Sequence, residues 1–175
     1  MVIRIENNLK EILQYLEVLN YTWNSGDKPT EYRPPCSCNC IVIENNHIAH
    51  DIRSEGMSFE EFKRQNPIKK EHIRPGMVIE YANGKRRLVT EINEELILVS
   101  NGNFLSLEEF NEDLTVDNES LVINKVGFPL SAASLYTMLV YTNFIWERPN
   151  PVTEITMEDI AEKFDIDVSQ LRIKE

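Results

Sequence analysis

Residues 77–126 constrain the fold more than any other part of the chain, because short apolar runs there are punctuated by Asn-Gly pairs. Asn83 with Gly84, and Asn101 with Gly102, each separate two such runs. Asn and Gly tolerate the positive φ that a tight hairpin demands, so each pair marks a reversal between antiparallel strands. The pattern predicts strands at 77–81, 87–92, 96–100 and 104–105, with turns at 82–84, 93–95 and 101–102. A last strand at 121–126 makes five, enough for a small SH3-like β-barrel or meander over residues 72–127. Ser106, Glu108 and Glu109 predict one helical turn before that last strand.

The preceding residues, 1–66, read as a β-α-β-β-β-α module. Residues 2–5 alternate as a strand, and Asn8 stands three residues before Glu11 as an N-cap with its capping box. Leu9, Ile12, Leu13, Leu16 and Leu19 then form one apolar stripe at helical spacing. A strand at 21–23, a turn at 24–27 and a hairpin of 40–44 with 47–50 around Asn45 and Asn46 follow. Ser58, three residues before Glu61, opens a second helix with Phe59 and Phe62 on one side. Pro67 ends it, and a short basic linker leads to the second module.

Residues 128–175 read as a tail that packs on the rest. Residues 131–142 are apolar nearly all round, which predicts a buried helix, its face covered within the chain or across a homo-oligomer. A strand at 144–147, a helix from Thr156 with Met157, Ile160, Ala161 and Phe164 on one face, and a strand at 171–174 complete an α+β chain.

No apolar run is long enough to span a bilayer, and no secretory leader opens the sequence, so we expect a cytoplasmic protein without a membrane partner. The net charge is −11, unevenly spread. Between residues 63 and 90 stand Lys63, Arg64, Lys69, Lys70, Arg74, Lys85, Arg86 and Arg87 against Glu71 and Glu80. Residues 91–119 carry many acids and no Lys or Arg. An acidic surface repels nucleic acid, so nucleic acid is an unfavoured partner, while segregated charge still offers a basic patch to phosphate.

No phosphate-binding glycine loop, nucleophile elbow or Ser-His-Asp spacing is present, so no enzyme and no cofactor is expected. Cys36, Cys38 and Cys40, with His47 and His50 behind them, contain good zinc ligands. The spacing lacks a second knuckle, and an extended strand spreads the three sulfurs over roughly 13 Å. Free thiols are therefore the default, with a metal at Cys36, Cys38 and Cys40 the sharper alternative. Trp23, Lys28 and Tyr32 place an aromatic pair and a cation around a polar turn, a suitable setting for a small ligand. Lys85, Arg86 and Arg87 place three cations at a hairpin tip, where they suit phosphate. On that basis, reversing the charges of Arg86 and Arg87 is expected to abolish phosphate binding while leaving the fold intact.

Three stretches also carry a resemblance. LNYTWNSGDKPTEY with CIVIENNHIAH resembles the G-x-x-W-x-S-G opening of small accessory proteins of phages and prophages of Gram-positive bacteria, with Asn20 where that motif has Gly. Residues 73–115 resemble their barrel-like middle, and IWERPNPVTEITMEDIAEKF their ending. The resemblance implies a host-cell setting and non-enzymatic work: blocking a CRISPR nuclease, sequestering an immune nucleotide signal or binding a host regulator. The expected function is therefore a binding protein that antagonises host defence, either sequestering a small phosphorylated signal or covering a host defence protein. The alternative is a regulatory or nucleic-acid-associated module acting in phage gene control.

Overall fold

The structure is a computed structural model that describes residues 1–32, 34, 38–52, 55–149 and 167. Its first strand, β1 (Val2–Arg4), leads into α1 (Leu9–Val18). The apolar stripe expected there is present: Ile12, Leu13, Tyr15, Leu16 and Val18 are buried. Its start differs from the expected capping box. Asn8 Oδ1 accepts from the Glu6 backbone N–H at 2.9 Å and makes no bond into the helix. Asn competes for local backbone groups outside helices as readily as it caps them.

The next strands are β2 (Thr22–Trp23), β3 (Cys40–Glu44) and β4 (His47–Asp51), followed by α2 (Phe59–Gln65). Asn45 at φ 50° and Asn46 at φ 64° form the tight turn between β3 and β4. Ser58 caps α2 by accepting from the Glu61 N–H at 3.1 Å. The sheet order is β1-β3-β4-β2, antiparallel except that β2 runs parallel to β4. Tyr15 packs edge-on against Phe59 at 5.6 Å, joining α1 to α2.

A second sheet is built from β5 (Val78–Tyr81), β6 (Arg86–Ile92), β7 (Glu95–Ser100), β8 (Asn103–Ser106) and β9 (Ile123–Pro129). The short helix α3 (Leu135–Val140) precedes β10 (Thr142–Glu147). The order is β10-β9-β5-β6-β7-β8, and every neighbour is antiparallel. Among the described residues no ladder joins β8 to β10, so the pairing shows an open six-stranded sheet. β9 crosses residue 127 and β10 pairs with it, so residues 142–147 extend this sheet.

One contiguous cluster of buried side chains runs through both sheets, from Ile3, Leu16 and Ile41 to Ile79, Leu98 and Trp146. Val89, Leu98, Ile79 and Val126 are fully buried on one face of the second sheet. The molecule is thus a mixed α+β protein, richer in strand than in helix. Among the described residues no helix is long and apolar enough to cross a membrane.

The expectation of a buried helix over 131–142 is corrected. α3 has six residues, none of them buried, and Tyr136 is 72% exposed. Ser134 starts it late by accepting from the Thr137 N–H, and Thr142 already belongs to β10, so little length remains to bury. The helix expected from Thr156 and the strand expected at 171–174 lie outside the described residues.

Candidate functional site

Of the ligand-binding residues nominated in the sequence, Lys85, Arg86 and Arg87 line one cleft and Trp23 and Tyr32 another, and the two clefts share no lining residue. The first lies where the β5–β6 turn, the β7–β8 turn and α3 meet. Gly84 takes φ 76° in the β5–β6 turn, and the Tyr81 N–H donates to the Lys85 carbonyl at 2.9 Å. Lys85 is exposed and has no ion pair among the described residues.

Arg86 is engaged on three sides. Its Nε donates to Glu80 Oε2 at 2.7 Å, directly across the β5–β6 ladder. Its Nη1 donates to the Leu139 and Val140 carbonyls at 2.9 and 3.0 Å, capping the C-terminal end of α3. Its guanidinium also sits 5.0 Å from the Phe144 ring centre. Arg87 Nη1 donates to the Leu98 carbonyl at 3.2 Å and the Asn103 carbonyl at 3.0 Å, tying β6 to the β7–β8 hairpin. Its guanidinium faces the ring of Tyr81, whose phenol is pushed up to about 12, mainly by burial.

The expectation that both arginines are free to reverse is therefore corrected. Glu at position 86 would face Glu80, and Glu at position 87 would leave two carbonyls without their donor. Among the described residues, Lys85 alone of the three has a charged group with neither an ion pair nor a hydrogen bond.

Together Lys85, Arg86, Arg87, Ser100, Asn101, Asn103, Tyr136, Leu139 and Val140 line a cleft of about 620 Å³. Tyr136 escaped the sequence reading because it sits in an apolar run read as core. The signal for it was the phenol itself, which prefers an edge where one end is wet.

The second cleft, of about 260 Å³, is lined by Trp23, Asn24, Ser25, Tyr32, Ile48, Ala49 and His50. Trp23 is buried, its Nε1 donating to the Pro29 carbonyl at 3.1 Å and its ring meeting Tyr32 edge-on at 5.0 Å. Tyr32 stacks on His50 with centroids 6.1 Å apart. Trp23 is thus a core residue showing one edge, while Tyr32 and His50 form the accessible part. Lys28 does not line this cleft; its Nζ lies 3.9 Å from Glu31 Oε1.

The Cys36 position lies outside the described residues. Cys40 is buried on β3, and Cys38 is half-buried with its Sγ donating to the Cys40 carbonyl at 3.2 Å. Burial pushes the Cys38 thiol up, which opposes the thiolate a metal requires. Among the described residues no group of three or more His, Cys, Asp or Glu side chains is placed to hold a metal ion.

His72 is half-buried, and its Nδ1 accepts from the Lys69 N–H at 2.9 Å. Burial lowers its pKa against the pull of Glu71, so it favours the neutral, cap-accepting form. No protein-family model, no curated protein and no solved structure matches the chain.

Proposed function

We propose that the protein is a non-enzymatic binding protein that sequesters a small phosphorylated nucleotide in the Lys85–Tyr136 cleft. By removing that signal it antagonises a defence of the host cell, in whose cytoplasm it acts. The phage resemblance of its sequence supplies the defence context, and the cleft supplies the chemistry.

One observation carries the reading: an ammonium with no ion pair among the described residues, an exposed phenol ring and the polar groups of Ser100, Asn101 and Asn103 surround a single cleft. Its volume lies within the range of small-molecule sites. An ammonium is a strong point contact for phosphate, and a nucleobase stacked on an aromatic ring gains about 1–3 kcal/mol. Side-chain amides offer both donors and acceptors to a base edge. Arg86 and Arg87 serve as positioning residues, holding α3 and the β7–β8 turn around the space. We further propose that β5–β9 form an SH3-like barrel. Its short hairpin connections support that description, and the cleft lies at the rim.

Calorimetric titration with mono- and dinucleotides tests the proposal. A nucleotide that binds wild type and loses about tenfold or more affinity in Lys85→Ala supports it. No binding by any nucleotide, or binding indifferent to both Lys85→Ala and Tyr136→Ala, overturns it.

A further inference from the structure

The second sheet has an outer face that its own helix leaves open. Leu88, Val99 and Phe104 are direct register partners across β6, β7 and β8, so they share one face; Thr90 pairs with Ile97 beside them. The intervening residues Val89 and Leu98 point to the opposite side and are fully buried. On the outer face Leu88, Ile97 and Val99 are half-buried, Ile92 is 47% exposed and Phe104 is 65% exposed. β7 reads Leu96, Ile97, Leu98, Val99, four apolar residues in succession. A strand with one face in water alternates apolar with polar; an unbroken apolar run is patterned for cover on both sides. α3 reaches this face at the Arg86 end, through the bonds to its last carbonyls, and leaves its own Tyr136 and Val140 exposed.

The distribution of charge says what covers it. Arg87 and Glu91 alternate onto the opposite side and Arg86 is paired with Glu80, so the charges left to this face are Lys85 in the turn before β6 and Glu94 and Glu95 at the turn after it. A two-fold axis lying along this face, perpendicular to the strands, turns one copy over onto the other, so each basic end meets an acidic end while the apolar centres stack. We propose that this face is the contact surface of a two-fold homodimer of the chain. Phe104 and Ile92 extend the apolar centre, and Lys85 faces the acidic turn of the second copy. An anion in the neighbouring cleft competes for Lys85 and therefore loosens the dimer. Phe104 does not line that cleft, so the two proposals fail separately.

Sedimentation velocity of the full chain from about 1 µM to about 100 µM tests the proposal. Wild type is expected to shift from monomer to dimer within that range. Phe104→Glu is expected to stay monomeric with an unchanged circular dichroism spectrum. Lys85→Glu alone, and Glu94→Lys with Glu95→Lys alone, should each weaken dimerisation about tenfold or more, and mixing the two variants should restore it. The mixture is informative even where one variant is less stable, because recovery requires direct contact between residue 85 of one copy and residues 94 and 95 of the other. A monomer across the whole range overturns the proposal, bare face or covered by the chain's own residues. So does a dimer indifferent to Phe104→Glu, or charge variants that do not rescue each other.

Discussion

The two faces of the six-stranded sheet are built from the same residue types and have opposite fates. On the inner face Ile79, Val89, Leu98 and Val126 are sealed against one core that continues into the first sheet. On the outer face Leu88, Ile97, Val99 and Phe104 line up in register with only part of their surface covered. Apolar content alone does not separate the two; what lies opposite each face does. The inner face holds the fold together, and among the described residues the outer face is only partly covered.

That contrast is sharpest at adjacent positions of β7. Leu98→Ala opens a cavity in the sealed core and should cost about 2–5 kcal/mol, read as a lower urea midpoint at an unchanged slope. Val99→Ala should cost well under half of that in the monomer, and an equal cost would erase the distinction. Gly127→Ala tests the β9–β10 edge, where a Cβ would collide with the Asn143 carbonyl oxygen and lie 2.7 Å from Phe144 Cα. Main-chain neighbours cannot step aside cheaply, so a loss of about 1–3 kcal/mol is expected.

Within the cleft, Arg86→Ala should cost about 1–2 kcal/mol, because it removes the Glu80 pair and the donors to two α3 carbonyls. Lys85→Ala should change stability by less than about 0.5 kcal/mol while removing ligand binding. Equal destabilisation by both would contradict the division between a positioning arginine and a gripping lysine.

The smallest effect is expected from His72. Its folded-state pKa is lowered, so the unfolded chain binds more protons below the unperturbed value. Its contribution is fully present above about pH 6.5 and is lost as pH falls below that value. His72→Gln should flatten that part of the stability–pH curve, and an unchanged slope would place the acid sensitivity elsewhere.

The hairpins were legible because their turn chemistry is local. Asn45 and Asn46, Asn93, Asn101 and Gly102 all take the positive φ that their identities suggested. The helix at 135–140 was misread because an apolar sequence states what a surface would prefer to meet, and no local pattern reports whether anything meets it. The three cations at 85–87 were visible as charges. Their different roles became visible only with the register, which sets Glu80 opposite Arg86 and brings Asn103 under Arg87. The sequence carries no distance between Trp23 and Lys85, and the fold places them on separate clefts. Tyr136 joined the site through an α3 position that only the tertiary structure could nominate.

The most direct test of the central claim is native mass spectrometry of the protein purified from its own host, paired with the Lys85→Ala variant. The account predicts a bound phosphorylated nucleotide on the wild-type chain and its absence from the variant. A wild-type chain that carries none and takes up no added nucleotide, or a variant that retains it, would contradict the account.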